Sequence, residues 1–139
     1  MIAFLDSSVI LRRVLGQARQ LDSWESIDLT VVNPLVEIEC LRTLDRMRHG
    51  GLLNEDSVVA AREAAFSILR SCEVVYLGPL ILDRAGQTLP VPLKTLDAVH
   101  LVSALLYRDS TGKPLVMATH DRALARASRA MGLEVVGAA

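Results

Sequence analysis

The sequence predicts an α/β sandwich of about five mainly parallel strands with helices on both faces. Three observations carry that reading. Short apolar runs such as residues 2–5 recur along the chain without the alternation of a half-exposed sheet, as strands covered on both faces do. Segments with helical periodicity stand between them, opened by Asn or Ser and closed by Gly. Finally, 51% of the chain is hydrophobic but only 4% is aromatic, so a large core must be built from Leu, Val, Ile and Ala.

Taken in order, residues 2–5 form a strand that Asp6 ends, and Ser7 and Ser8 are placed to cap a short helix over 9–15 that stops near Gly16. A weaker helix containing Trp24 is expected over 17–27, then a β-branched strand over 28–32. Asn33-Pro34 is a cap followed by a proline at the first helical position, and that helix runs to His49 before Gly50-Gly51. Residues 54–57 offer another cap for a helix reaching Arg70. A strand over 73–77 ends at Gly78-Pro79, and a short helix over 80–88 leads to an extended connector at 90–92. Residues 95–107 are helical in pattern and apolar nearly all round, which predicts a buried helix. A strand over 114–118, a helix over 121–131 stopped by Gly132, and a last strand over 133–136 complete the alternation. There is no internal repeat or linker, so residues 1–139 read as a single domain.

Composition narrows the function classes. The apolar runs are far shorter than a membrane span requires, and no basic lead with a long apolar stretch marks a secretory signal. Cys40 and Cys72 fit neither a metal motif nor a disulfide framework, and the expected setting is the cytoplasm. The net charge of −1 does not by itself indicate nucleic acid. Lys94 and Lys113 are the only lysines; every other basic residue is arginine, whose planar fork suits phosphate, although a GC-rich genome produces the same bias.

Four acids stand at strand ends or helix starts. Asp6 follows the first strand, where open α/β sheets place their ligands. Asp121 follows the strand over 114–118 by way of Thr119 and His120. Asp97 falls in the first turn of the apolar helix, where a carboxylate is costly unless it is paired or binds a cation. The fourth is Glu37 or Glu39. These point roughly 200° apart on a helix, and the apolar arc of Val36, Cys40, Leu41, Leu44 and Met47 contains Glu37. Taken singly, an Asp at a strand end or in a first helical turn is more readily read as a helix cap.

Together, L-D-S-S at the start, E-C-L-R-T-L on the Asn33 helix, T-L-D-A-V-H-L-V-S-A-L and A-T-H-D-R-A-L-A-R-A resemble a PIN domain, and within that family the VapC toxins of toxin–antitoxin pairs. The resemblance covers residues 2–136 in the family's order and spacing. It implies a PIN-like α/β/α sandwich and a divalent-metal-dependent endoribonuclease held inactive by a VapB-type antitoxin. It also implies a homodimer and an acidic cluster of Asp6, Glu39, Asp97 and Asp121 around Mg²⁺ or Mn²⁺ that activates a water against RNA. The family pattern thus selects Glu39 where periodicity selects Glu37; an active-site cleft is where the helix-wheel rule weakens, and Glu39 is taken. Ser7 and Thr119 become supports for the acids. Arg42 and Arg122 become contacts to substrate, with Arg12, Arg13, Arg46, Arg126 and Arg129 as further arginines near the acids.

His49 at a helix end, His100 one turn after Asp97 and His120 beside Asp121 are read first as structural. The alternatives are a PIN-like nuclease of RNA or DNA processing without a toxin role, and a non-catalytic PIN-like binding module. A response-regulator receiver would need paired acids after the first strand and a suitably placed lysine. Dinucleotide binding would need G-x-G-x-x-G after that strand, and a haloacid-type phosphatase a second Asp where Ser8 stands.

Overall fold

Two strands that meet side by side, far apart in sequence, set the architecture. In the computed structural model, which describes residues 1–138, β1 (Ile2–Leu5) pairs in parallel with both β2 (Leu29–Val32) and β4 (Val116–Ala118). The edges are β3 (Glu73–Val74), beside β2, and β5 (Glu134–Val136), beside β4. The sheet order is therefore β3-β2-β1-β4-β5, all parallel. Ala3, Phe4 and Leu5 have no solvent exposure, which is what a central strand covered on both faces requires.

Helices α1 (Ser7–Val14), α2 (Pro34–His49) and α3 (Glu55–Arg70) pack on one another, while α5 (Thr95–Thr111) packs against α4 (Pro79–Ala85) and α6 (Arg122–Ala130). Several start where a side chain satisfies free N–H groups. Asn33 Oδ1 accepts from the Leu35 and Val36 amides, Asn54 from Ser57 and Asp121 from Leu124. In α5 the run Ala98 to Leu105 is buried without interruption, as its all-round apolar pattern predicts, and Gly112 closes the helix in the left-handed conformation, φ 68°. No helix among the described residues is long and apolar enough to cross a membrane.

The strand order places the site. The chain winds from β1 outward through β2 to β3, then returns to the other side of β1 for β4 and β5, so its direction reverses between β1 and β4. At such a reversal the connections diverge and leave a crevice at the carboxyl ends of the strands. Leu5 is in register with Ala118 and the Asp6 amide donates to Ala118 O (3.0 Å), so Asp6 and Thr119 emerge together into that crevice.

Three expectations are corrected. Residues 17–27 form no α-helix, only a 3₁₀ turn at Trp24–Ser26. The few apolar residues there are anchored individually: Leu21 is buried, and the Arg13 guanidinium sits 4.5 Å from the Trp24 ring centre. The strand expected over 73–77 is only Glu73–Val74, because its partner β2 gives way at Asn33 to a helix; one further bond, Val75 N–H to Val32 O (2.8 Å), ends the pairing. Lastly, Ser7 and Ser8 do not cap α1. Asp6 occupies the cap position without a side-chain bond to the helix, and both serines lie in the first turn.

Candidate active site

Asp6 is buried to 4% exposure at the end of β1, and its carboxylate is held from one side. Ser8 Oγ donates to Asp6 Oδ2 at 2.6 Å, and Thr119 Oγ1 donates to the same oxygen at 2.8 Å. Each hydroxyl also accepts a backbone amide, Ser8 from His120 (3.0 Å) and Thr119 from Asp121 (2.9 Å). These bonds tie the start of α1 to the loop between β4 and α6. They leave Asp6 Oδ1 with no hydrogen bond among the described residues.

Glu39, on α2, reaches the same place. Its Oε1 is hydrogen-bonded to His100 Nε2, and ligand atoms of Asp6, Glu39 and His100 all lie within 4.8 Å of one another. Glu37 points elsewhere, into a cleft with Phe66, Leu69, Arg70 and Tyr76 along the α2–α3 seam. The wheel argument fails here for a physical reason. The buried stripe Val36, Cys40 and Leu44 packs into the core, with Glu37 and Glu39 flanking it on opposite sides, and only one flank opens on the crevice.

Asp97, half-buried in the first turn of α5, has its carboxyl pushed up to about 6. Burial is the largest cause; the charges of Asp6 and Asp121 follow, Glu39 adds to them, and His100 opposes. Asp97 therefore shares one electrostatic environment with all three other acids. Asp121 is exposed, and its Oδ1 is engaged in capping α6 at Leu124. Burial and then the charges of Glu39, Asp6 and Glu37 push the Cys40 thiol up to about 12, so this cysteine offers no thiolate.

The remaining site candidates are placed less centrally. Ser7 makes no side-chain hydrogen bond among the described residues; the adjacent Ser8 makes the contacts expected of it. Arg42 points outward to Asp45 (3.2 Å), Arg12 reaches the carbonyl of Arg19, and Arg13 pairs with Glu25 as well as Trp24. Arg46 is bonded to Thr43. Arg122 and Arg126 are exposed and carry no ion pair among the described residues, with Arg122 directly after Asp121. His120 Nδ1–H donates to Gly137 O (2.8 Å), and the residue lies half-buried. Two groups that sequence reasoning read first as structural, Ser8 as a helix cap and His100 as a core histidine, contact the acids directly. D-S-S held the signal for Ser8, since a hydroxyl two residues after a strand-end Asp can fold back onto it. For His100 the signal was a buried histidine one turn after Asp97.

Free carboxylate oxygens converging in a partly dry crevice repel one another, and a hard divalent cation relieves that repulsion. The donor set fits such an ion: Asp6 Oδ1 is unengaged, Glu39 stands beside it, and Asp97 is destabilised as an anion by its neighbours.

Comparison with known proteins identifies the family and the fold. Residues 3–130 match the family described as PIN domain. Over 127 residues, 84% of this chain and 94% of the other protein, the sequence is 29% identical to Ribonuclease VapC46 of Mycobacterium tuberculosis. The fold resembles the crystal structure of PAE2754 from Pyrobaculum aerophilum, with a TM-score of 0.62 and 18% identity over 97% of this chain and 83% of that one.

Proposed function

The chain belongs to the PIN domain family, and from that premise we propose that it is a divalent-metal-dependent endoribonuclease, the toxin of a VapBC-type toxin–antitoxin pair. The observation that supports the reading is that ligand atoms of Asp6 and Glu39 lie within 4.8 Å of each other at the end of β1, while the charges of Asp6, Asp121 and Glu39 all act on Asp97. The similarity to Ribonuclease VapC46 over nearly the length of both proteins supports the RNA substrate and a VapB-type antitoxin as partner. The protein acts as one domain over residues 1–139, and as a homodimer in the cytoplasm.

Asp6 and Glu39 would hold the cation, and Asp97 and Asp121 would add their negative charge around it. When bound there, Mg²⁺ or Mn²⁺ would supply Lewis-acid charge to acidify a water and to offset the negative charge developing on a phosphodiester. The protein's part is orientation. Ser8 and Thr119 fix the Asp6 carboxylate, and α5 carries Asp97 from a buried, rigid element. The Asp97 carboxyl is pushed up to about 6 by burial and then by Asp6 and Asp121, so its anion is the one a bound cation would stabilise. Arg122, beside Asp121 and with no ion pair among the described residues, would meet an RNA phosphate.

The test is cleavage of RNA by the purified protein with and without EDTA, beside Asp6→Asn. Cleavage is expected to vanish in both. Cleavage that survives chelation and the substitution together would sink the reading.

A further inference from the structure

A buried polar network lies behind Glu39. It begins at Asn33, whose amide orientation is settled by the helix it caps: two backbone N–H groups, Leu35 (3.0 Å) and Val36 (3.2 Å), point at Oδ1. Nδ2 must therefore be the donor, and it faces two acceptors, Ser103 Oγ and His100 Nδ1, each at 3.0 Å. Ser103 spends its own hydrogen on Val99 O (2.7 Å), so toward Asn33 it accepts.

His100 Nδ1 thus receives a hydrogen bond and carries no proton. The ring's N–H is on Nε2, and Nε2 faces Glu39 Oε1. Asn33, His100 and Ser103 are all fully buried, so water does not compete for any of these bonds. Reversing the tautomer would set two buried N–H groups against each other at one end and a lone pair against a carboxylate at the other. Although Nε2 lies within 4.8 Å of the Asp6 and Glu39 ligand atoms, a nitrogen that holds a proton for Glu39 has no lone pair for a metal.

We propose that Asn33 and His100 are positioning residues for Glu39: the asparagine that starts α2 sets the tautomer of His100, and His100 Nε2–H turns the carboxylate carried by the same helix toward Asp6. This rests on the metal-site reading above. It assigns His100 to orienting a ligand and removes it from the ligand set. It also makes the N-cap of α2 part of the active site, because the side chain that begins the helix aims the acid that the helix carries.

The test uses the full chain and Mn²⁺ binding without RNA, by calorimetry or by the electron paramagnetic resonance of free Mn²⁺. A glutamine amide reaches the place of Nε2 and keeps a donor for Glu39; an asparagine amide reaches only the place of Nδ1. His100→Asn should weaken Mn²⁺ affinity by about 10- to 100-fold, the usual loss when a support behind a metal ligand is removed, and His100→Gln should restore most of it. Equal losses in the two variants, with circular dichroism unchanged, would reduce His100 to a packing residue and overturn the proposal; so would wild-type affinity in His100→Asn. Should the variants not fold, the unmodified chain decides. In ¹⁵N-histidine spectra, with the other two rings assigned through His49→Asn and His120→Asn, His100 should show Nε2 protonated and Nδ1 bare, and a proton on Nδ1 refutes the assignment. A wild type that binds no Mn²⁺ while showing that tautomer overturns the metal reading, and with it the role given to His100, without disturbing the network.

Discussion

Replacing Asp97 by Asn should make the metal-free protein more stable while destroying the site. The Asp97 carboxyl is pushed from 3.8 to about 6 in the folded state, first by burial and then by Asp6 and Asp121. Because the folded value lies above the unfolded one, the folded state loses stability when Asp97 ionises. The loss is absent below about pH 4, grows between pH 4 and 6, and is complete above that range. At about 1.4 kcal/mol for each tenfold change, the displacement corresponds to about 3 kcal/mol. Solvent reaching a half-buried group lowers this, so a gain of about 1–3 kcal/mol is the working figure. For a chain of this size that is roughly 4–12 °C in Tm. The assay is thermal unfolding of wild type and Asp97→Asn in EDTA at pH 4, 6 and 8. The variant should melt higher at pH 8 and the difference should close toward pH 4. Adding Mn²⁺ at pH 8 should raise the wild-type Tm and leave the variant nearly unmoved, since a ligand stabilises only the state that binds it. Equal melting at pH 8 in EDTA would refute the argument that the four acids strain one another.

Glu39→Ala should reduce RNA cleavage by about 100-fold or more, whereas Glu37→Ala, altering the α2–α3 seam, should cleave at close to the wild-type rate; full activity in Glu39→Ala would transfer the role to another acid. Ser8→Ala removes one of the two donors to Asp6 and strands the His120 amide, so it should lower unfolding stability by about 1–3 kcal/mol and cleavage by about 10- to 100-fold, both measured on one preparation. Gly137 has φ 96° and an added Cβ would meet Thr119 O at 2.6 Å, so Gly137→Ala should shift the denaturant midpoint downward by about 1–3 kcal/mol and reduce activity through displaced Thr119. Arg122→Ala should weaken RNA binding and flatten its dependence on salt, read from binding isotherms at several salt concentrations.

Where the chain's chemistry is periodic or terminal, the fold was legible. Residues 2–5 read as a buried strand because nothing polar interrupts them, and α5 read as a buried helix because its pattern is apolar nearly all round, with only His100 and Ser103 polar among residues 98–105. Asn33-Pro34 and Asn54 announced two helix starts within a residue. The misses occurred where a neighbour decides. The shortness of β3 follows from where β2 ends, which residues 73–77 themselves do not encode. Residues 17–27 are shaped by the burial of Leu21 and the seat of Trp24 against Arg13, both long-range.

For the site, spacing brought Asp6, Asp97 and Asp121 to attention, but which side of α2 faces the crevice depends on how α2 seats against α1 and α3, and a helical wheel records only polarity. Ser7 and Ser8 differ in nothing but position. Which hydroxyl meets Asp6 is decided by the direction in which α1 leaves the sheet, a property of the assembled crevice.

The pairing of β1 with β4 has a consequence for the timing of synthesis. Thr119 binds Asp6 across 113 positions of sequence, so the first strand made must wait for one of the last to acquire its neighbour. At a synthesis rate of about 5–20 residues per second, the emerging chain spends several seconds carrying Asp6, Glu39 and finally Asp97 without the β4–α6 loop that orients them. A growing chain thus leaves the ribosome with Asp6 still lacking the Thr119 bond, which it acquires only once β4 has docked.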